Sequence, residues 1–225
     1  MADIATASGG VESLLCRTFG CDGAVAHKII AAARARDFDE EAVIVHRGDH
    51  IADAFFMVMG QARGVVYSRE GALVVAQEYR PGDLFGALGG DGPAEQEADI
   101  VAVRKVSSLI IEAAALATIA QRHGEIGLAL SRMLMTRLRE ATVRLYERTA
   151  LSAQGRVYAE LRRLADGDTL SIRPPPIVTD LAVRVGTTRE TASRAINALE
   201  RRGIIERSDG SWTILAPRRL EEAIY

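Results

Sequence analysis

The spacing of apolar residues changes along the first half of the chain. We predict helix over residues 12–36, which include VESLLCRTFG from its second letter and, after a short break, AVAHKIIAAARAR, because the apolar positions have helical spacing. Residues 42–111 instead carry short β-branched and aromatic runs broken by glycine, such as AVIVHRGD, AFFMVMGQ and ALVVAQEY. Arg47-Gly48-Asp49 and Pro81-Gly82-Asp83 are turn sequences within this region. The pattern predicts an antiparallel β-barrel or jelly roll.

The pattern becomes helical again after residue 112. The stretch AAALATIAQRHG predicts a short helix that ends at Gly124, and a long helix follows over about residues 125–149. Its apolar seam has intervals of four, four, three and four residues, at Leu130, Leu134, Leu138, Ala141 and Leu145. Such a narrow seam favours packing against a second copy of the chain across a two-fold axis. The alternative is a helix that packs on its own barrel.

The C-terminal third contains several short helices. Residues 151–168 predict a helix, and SIRPPPI predicts an extended connector because successive prolines cannot continue a helix. Residues 181–185 predict a short apolar helix that Gly186 ends, and Thr187 and Glu190 have the spacing of a capping box that starts another helix over about 188–202. This is the helix-turn-helix pattern, and IIERSDGSWTIL after Gly203 predicts a two-stranded wing beside it.

The helix over 188–202 has an apolar stripe and a polar face. The stripe consists of Ala192, Ile196 and Leu199, and the polar face of Glu190, Ser193, Arg194 and Asn197, with Arg189 on its flank. In a helix-turn-helix, the first residues of the second helix contact base edges in the major groove. Arginine can donate two hydrogen bonds to guanine, and glutamate can accept one from cytosine. We therefore predict DNA contacts at Thr188, Arg189, Glu190, Ser193 and Arg194; the alternative is a solvated charged face.

Charge and composition are consistent with a soluble nucleic-acid-binding protein. Residues 1–149 carry 16 Lys+Arg and 20 Asp+Glu, whereas residues 150–225 carry 12 and 10, so the excess of basic residues lies beside the predicted helix-turn-helix. The sequence has no membrane-spanning stretch and begins without a secretion-signal pattern, so we expect a cytoplasmic protein without a membrane partner. It also lacks a nucleophile elbow, a phosphate-binding loop and a dinucleotide fingerprint, so no catalytic residue is predicted.

These motifs closely resemble the cyclic-AMP receptor protein and fumarate–nitrate reductase regulator (CRP/FNR) family. TTRETASRAINALERRGII is similar to the family's recognition helix, RPGDLFGALGG to its barrel segment, and LSRMLMTRLREATVRLYERTALSAQGRVYAEL to its dimerisation helix and hinge. The resemblance implies an α+β chain with a cyclic-nucleotide-binding-like jelly roll, a long dimerisation helix and a C-terminal winged helix-turn-helix. It places a sensor domain at residues 1–150, including the dimerisation helix, and a DNA-binding domain at 151–225.

The same resemblance implies a homodimeric transcription regulator that binds a two-fold DNA site and contacts RNA polymerase. Arg189, Glu190 and Arg194 match the base-reading residues of the cyclic-AMP branch, and Glu190, Ser193 and Arg194 match those of the fumarate–nitrate branch. A half-site related to TGTGA or TTGA is implied, and the sequence does not choose between them. A shift of the long helix, or of a hinge near residues 151–154, would re-aim the two recognition helices.

The effector pocket departs from the cyclic-AMP branch, in which a glutamate binds the ribose and an arginine pairs with the phosphate. The positions that match the pocket are Phe85, Gly86, Ala87, Leu88, Glu97, Ala98, Ala141 and Thr142. Ala87 replaces the glutamate and Glu97 the arginine, so a carboxylate would lie where a phosphate should bind. We expect no cyclic-AMP binding in the usual mode; the effector is an unidentified small molecule, or the regulator acts through protein contacts without a ligand.

Other cofactors find little support in the sequence. An iron–sulfur cluster usually takes four cysteines, and the chain has only Cys16 and Cys21, which packing or redox chemistry can explain. Haem stays open as an alternative because four histidines are present, although none lies in a diagnostic motif. His46 and His50 would be the starting point for a competing interpretation as a cupin-like metal enzyme, but their spacing differs from the His-x-His of cupins. No metal site is predicted.

Overall fold

The computed structural model describes residues 8–67, 73–88 and 92–225. The chain divides into two compact units, Met1–Arg137 and Leu138–Tyr225, and the division falls within the long helix. Residues 1–7, on which the expectation about a secretion signal depends, lie outside the described residues. Across the described ranges, no helix has both the length and the apolar character needed to cross a bilayer.

The first unit begins with two helices, α1 (Ser8–Phe19) and α2 (Gly23–Ala32). The Asp22 side chain caps α2 by accepting a hydrogen bond from the Val25 N–H at 2.9 Å. Strand β1 (Ala33–Phe38) follows at once, so the prediction of helix is wrong at residues 33–36. Alanine and arginine favour helix locally, but this segment pairs antiparallel with a long strand, residue by residue, and the tertiary pairing overrides the propensity.

The predicted jelly-roll architecture is confirmed. The further strands are β2 (Val43–Val45), β3 (His50–Ile51), β4 (Asp53–Tyr67), β5 (Leu73–Tyr79), β6 (Leu84–Gly86), β7 (Ala94–Glu95) and β8 (Asp99–Glu112). The main sheet has the order β1-β8-β4-β5, with β2 added to β8 and β6 to β4, and β3 pairs with β7. The predicted turns at Gly48 and Gly82 are also confirmed, with φ angles of 86° and 95°.

The two faces of the sheet bury different sets of side chains. Phe56 and Leu109 pack with the N-terminal helices, whereas Phe55 and Ile110 lie in a second cluster inside the roll. The alternation follows from the period of two along each strand. Register shifts along β4 accompany Gly60, whose φ is 91° and where an added Cβ would lie 2.1 Å from the Lys105 carbonyl oxygen. Only glycine fits this bulge.

Two helices complete the middle of the chain, α3 (Ala113–Arg122) and α4 (Gly124–Ala150). The long helix is thus confirmed, and the short helix ends two residues earlier than predicted. The beginning of α4 is buried through Ile126 and Ala129, which belong to the cluster around the N-terminal helices. Farther along, Leu134, Leu138 and Leu145 are 51%, 61% and 64% exposed. The seam leucines after the beginning of α4 are therefore exposed.

The second unit contains the remaining elements. They are α5 (Ala153–Leu164), β9 (Ser171–Ile172), α6 (Val178–Val185), α7 (Arg189–Arg201), β10 (Ile205–Arg207), β11 (Trp212–Ile214) and α8 (Pro217–Ile224). Helix α5 is shorter than predicted because Ser152 caps its first turn, accepting from the Gly155 N–H at 3.0 Å, and Ala165 is extended. Helix α6 begins three residues before the predicted start.

The core of this unit lies between the helices and the small sheet. Leu161, Leu181, Ile196 and Trp212 belong to one buried cluster, and β10, β11 and β9 form an antiparallel sheet. The predicted wing is confirmed as the β10–β11 hairpin. Helix α8 lies so close to α5 that a Cβ added at Gly155 would be 2.7 Å from the Ile224 carbonyl oxygen. Helix α5 is thereby held against the C-terminal helix.

Candidate nucleic-acid interface

The start of α7 is set by the turn and the cap before it. Gly186 ends α6 in the left-handed conformation, with a φ of 64°, and its N–H bonds back into that helix. Thr188 is the N-cap residue of α7, and its Oγ1 accepts a hydrogen bond from the Thr191 N–H at 3.2 Å. The predicted capping box of Thr187 and Glu190 is therefore wrong by one residue. Both neighbouring threonines carry a hydroxyl that could cap a helix, but it is Thr188 that has the extended backbone and accepts from the Thr191 N–H.

Helix α7 separates its side chains as the sequence predicts. Ala192, Ala195, Ile196 and Leu199 are fully buried in the core of the second unit. The predicted contact residues Thr188, Arg189, Glu190 and Arg194 are exposed, and Ser193 is half-buried. The structure thus brings all five onto the uncovered side of one helix. This surface offers guanidinium donors, a carboxylate acceptor and two hydroxyls within two helical turns.

The charged groups at the start of α7 stabilise one another. The pKa of Glu190 is lowered, chiefly by a hydrogen bond from its own backbone N–H and then by the Thr188 hydroxyl, with Arg189 and Arg194 adding attraction. The Glu190 carboxylate is therefore ionised at neutral pH and acts as an acceptor. The hydrogen bonds of Arg194 to described residues are long, its Nε lying 3.4 Å from the Glu190 carbonyl oxygen and its Nη2 3.5 Å from Thr191 Oγ1. Exchanging such contacts for a base edge has a small energetic cost.

Arg207 was not predicted as a site residue, and it connects the wing to α7. Its Nη2 donates to Asn197 Oδ1 at 3.0 Å and also bonds the Glu200 carboxylate, while the guanidinium lies 5.9 Å from the centre of the Trp212 ring. The hydrogen bond from Arg207 lowers the pKa of Glu200, and the same bond raises the pKa of Arg207. Asn197, predicted to face outward, therefore has its side-chain oxygen occupied by the wing.

The barrel positions that match the family's effector pocket are buried or half-buried, except for Glu97. Gly86 lies at the end of β6 with a φ of 90°, and an added Cβ would be 2.5 Å from the Asp53 carbonyl oxygen. The Ala87 N–H donates to that same oxygen at 2.9 Å. Ala87 and Ala98 are buried, Leu88 is half-buried, and Glu97 is exposed. Residues 89–91, which lie between these positions in the sequence, are outside the described residues.

Aromatic side chains pack around Phe85. Its ring stacks on Phe55 with centroids 4.9 Å apart and an interplanar angle of 6°, and Tyr79 lies 4.9 Å away on a tilt. Burial is the main cause that raises the pKa of Tyr79. The Arg137 guanidinium lies 5.3 Å from the centre of the Tyr79 ring, and its Nη2 is 3.6 Å from Asp83 Oδ1. Arg137 was not predicted as a pocket residue, and among the described ring contacts it is the cation nearest this aromatic group.

The two remaining pocket positions lie on the part of α4 that belongs to the second unit. Ala141 and Thr142 are exposed, and Thr142 Oγ1 donates to the Leu138 carbonyl oxygen at 2.8 Å. This bond within the helix satisfies the hydroxyl.

The cysteines and histidines do not assemble a metal centre. Cys16 and Cys21 are both free thiols, and the pKa of Cys21 is raised to about 11, first by burial and then by the neighbouring Cys16. His46 Nδ1 lies 3.7 Å from Asp99 Oδ1, and His50 sits in the short strand β3. Within the described parts of the chain, no group of three or more histidine, cysteine, aspartate or glutamate side chains is placed to hold a metal ion.

Comparisons with known proteins identify both halves of the chain. A model of the Crp-like helix-turn-helix domain matches residues 155–223, and a model of the cyclic nucleotide-binding domain matches residues 35–123. The chain is 24% identical to the cAMP-activated global transcriptional regulator Vfr of Pseudomonas aeruginosa over 201 residues, which cover 85% of this chain and 94% of Vfr. It is 31% identical to the cyclic AMP receptor protein of Thermus thermophilus over 148 residues, which cover 64% of this chain and 67% of that relative.

The fold also matches solved structures. The structure of FixK2 from Bradyrhizobium japonicum superposes with a TM-score of 0.70 at 22% identity, covering 84% of this chain and 96% of FixK2. The matched region includes residues of both units. The relatives are transcription regulators and not enzymes, so the interpretation as a cupin-like metal enzyme loses its support.

Proposed function

The chain belongs to the CRP/FNR family of DNA-binding transcription regulators, and we propose that it acts as a homodimer that binds a two-fold DNA site through α7. The observation that carries the proposal is the uncovered face of α7, where Arg189, Glu190 and Arg194 stand exposed above a fully buried stripe. In this proposal Arg189 and Arg194 donate to guanine, Glu190 accepts from cytosine, and Thr188 and Ser193 contact bases or phosphates.

The homodimer is proposed from the seam of α4. Leucines at positions 134, 138 and 145 expose more than half of their surface, although they recur at the spacing of a helix–helix contact. Leaving three leucines in water on one stripe is unfavourable, and a second copy would cover them. A two-fold dimer would also present two α7 helices, as a two-fold DNA site requires.

We further propose that cyclic AMP does not control this protein in the usual mode. Glu97 would set a carboxylate against the cyclic phosphate, and Ala87 has no group to hold the ribose. In this proposal the chain has a sensor domain of residues 1–150 and a DNA-binding domain of residues 151–225. The signal is either an unidentified small molecule that binds the sensor domain or a protein contact, and the protein partners include RNA polymerase.

Fluorescence anisotropy of the ligand-free protein tests the proposal. Labelled inverted repeats of TGTGA and of TTGA are compared with a scrambled duplex at one salt concentration. Arg194→Ala should lose about 1–3 kcal/mol on the preferred repeat and little on the scramble, because a base contact is specific to the sequence. Arg201→Ala, which removes an exposed arginine from the last turn of the same helix, serves as control.

Each outcome has a distinct meaning. Equal losses on both duplexes would make Arg194 a phosphate contact and contradict its role in base recognition. Tight specific binding without a ligand would favour the alternative in which the protein needs no small-molecule effector and is controlled through protein contacts. Binding no better than the scramble, in a protein that also sediments as a monomer, would overturn the proposed function.

A further inference from the structure

The junction between α4 and α5 is short and buried. Only Leu151 and Ser152 connect the two helices, and Leu151 is 8% exposed. The Leu151 N–H continues the hydrogen bonding of α4, donating to the Glu147 carbonyl oxygen at 3.1 Å, and Ser152 caps α5. The backbone at this position is therefore hydrogen-bonded on both sides.

A single guanidinium connects this junction to the turn of the helix-turn-helix. Arg156 on α5 donates from Nη1 to the Leu151 carbonyl oxygen at 3.1 Å, from Nε to the Val185 carbonyl oxygen at 2.8 Å, and from Nη2 to the Gly186 carbonyl oxygen at 3.1 Å. The first acceptor lies just beyond α4, and the other two lie at the end of α6, immediately before α7. The rigid fork of arginine can reach all three carbonyls at once, which a lysine cannot do.

A chain of ion pairs makes a second connection between the same elements. Arg163 on α5 bonds both Glu147, near the end of α4, and Glu160. The other oxygen of Glu160 lies 3.6 Å from Arg184 Nη1 on α6. The side chains of Glu147 and Glu160 are only 15% and 10% exposed, so water screens these pairs less than ordinary surface pairs.

We propose that Arg156 and Arg163 form a junction latch, which fixes the direction in which the helix-turn-helix leaves the end of α4. The consequence is a specificity for half-site spacing, and this inference rests on the proposed homodimer and its two-fold DNA site. Two connections through different atoms resist rotation about the Leu151–Ser152 junction, whereas one connection would allow it. Arg156 and Arg163 are in this sense positioning residues and do not themselves contact a base.

The link to half-site spacing follows from the geometry of DNA. Each base pair inserted between two half-sites turns one of them by about 35° and moves it by about 3.4 Å. Recognition helices held in a fixed direction cannot follow such a change without strain. Recognition helices on a loosened junction can follow it, at the cost of ordering the junction on binding.

The test is DNA binding on inverted repeats whose central spacing is the preferred one or is changed by one base pair. We expect the wild-type protein to bind the repeat with altered spacing at least about tenfold more weakly. A loss of that size is similar to the effect of one mismatched base pair in the site. Glu147→Gln, Arg163→Gln and Arg156→Lys should reduce that loss to below about threefold. A base substitution within the half-site should weaken binding by these variants as much as it weakens binding by the wild type, because α7 itself is unchanged.

Two matched controls exist in the same helices. Arg162→Gln removes the neighbouring arginine, whose Nε lies 3.7 Å from Glu221 on α8, and Glu140→Gln removes a carboxylate that pairs with Arg144 within α4. Both variants should lose as much DNA affinity as the wild type when the spacing is altered. If the controls behave like the latch variants, general destabilisation explains the effect and the latch is refuted. If the latch variants keep the full spacing penalty, the latch is refuted as well.

A measurement without DNA separates this inference from the proposed function. Amide hydrogen exchange over residues 151–156 and 185–187 should accelerate at least about fivefold in the three latch variants, because local opening becomes easier. The exchange rates in Arg162→Gln should equal those of the wild type. Unchanged exchange in all variants would overturn the latch even if DNA binding is as proposed, and faster exchange with no specific DNA binding would leave the latch standing while the proposed function fails.

Discussion

Replacing Thr188 by alanine tests where the recognition helix begins. The substitution removes the hydroxyl that accepts from the Thr191 N–H at 3.2 Å and that also lies 3.1 Å from the Thr191 hydroxyl. Loss of a threonine cap costs about 1 kcal/mol on average, with a range of about 0.5–2. Thr188 is exposed, so water can replace part of the lost bonding, and we expect a loss of about 1 kcal/mol rather than the upper limit.

The single tryptophan of the chain makes this measurement specific to the second unit. Trp212 is 8% exposed within the cluster that contains the buried stripe of α7, so its fluorescence follows unfolding of that unit in the full-length protein. With a urea dependence of about 1–3 kcal/mol/M, a loss of 1 kcal/mol lowers the midpoint by about 0.3–1 M. The assay contains no DNA, so a role of Thr188 in DNA contact does not affect it.

Thr187→Ala is the matched control, because the sequence alone favoured that residue as the cap. Its N–H donates to the Ala182 carbonyl oxygen at 2.9 Å, a backbone bond that the substitution retains. We expect a change below about 0.5 kcal/mol. A loss at Thr187→Ala equal to or larger than that at Thr188→Ala would refute the assignment of the cap and the start of α7 at Arg189.

Four further predictions concern other parts of the chain. Leu138→Glu should weaken the homodimer at least about tenfold in sedimentation experiments, since it sets two carboxylates in an apolar seam, whereas Arg139→Glu beside it should not. Cys21 in the folded chain should react with iodoacetamide at pH 8 about a hundredfold more slowly than in the urea-unfolded chain, because its pKa of about 11 leaves little thiolate, and equal rates would contradict that pKa. For the same reason folding stability should decline as the pH rises from about 9 toward 11, where only the unfolded thiol ionises. Calorimetric titration with cyclic AMP should show no saturable binding in the micromolar range, and a micromolar site abolished by substituting Glu97 would contradict the pocket argument.

Apolar periodicity predicted the helices best where propensity and packing agree. Along α7, the stripe of alanine, isoleucine and leucine has helical spacing and faces the core, so its residues were placed correctly. Residues 33–36 show the opposite case, since ARAR is locally a good helix former and becomes a strand only because β8 lies beside it. The four residues alone cannot show that β8 will lie beside them and pair with them.

The candidate site, like the fold, could be predicted from the sequence only in part. Exposed residues on one helix, such as Arg189 and Glu190, follow from periodicity because their neighbours in space are near in sequence. The contacts of Arg156 and Arg207 depend on folded geometry, since Arg156 contacts carbonyl oxygens 29 and 30 residues away and Arg207 contacts a side chain 10 residues away. Carbonyl oxygens are present at every residue, so the sequence carries no signal for such a partner.

Gly155 limits which substitutions the second unit can accept during evolution. The position adjoins Arg156, and any side chain larger than hydrogen would meet the Ile224 carbonyl oxygen at 2.7 Å, a backbone atom that cannot rotate away. A substitution here would have to displace α8 before it could alter the junction. Changes in the preferred DNA spacing of related proteins should therefore arise by mutation of surrounding side chains such as Glu147, while the glycine itself stays fixed.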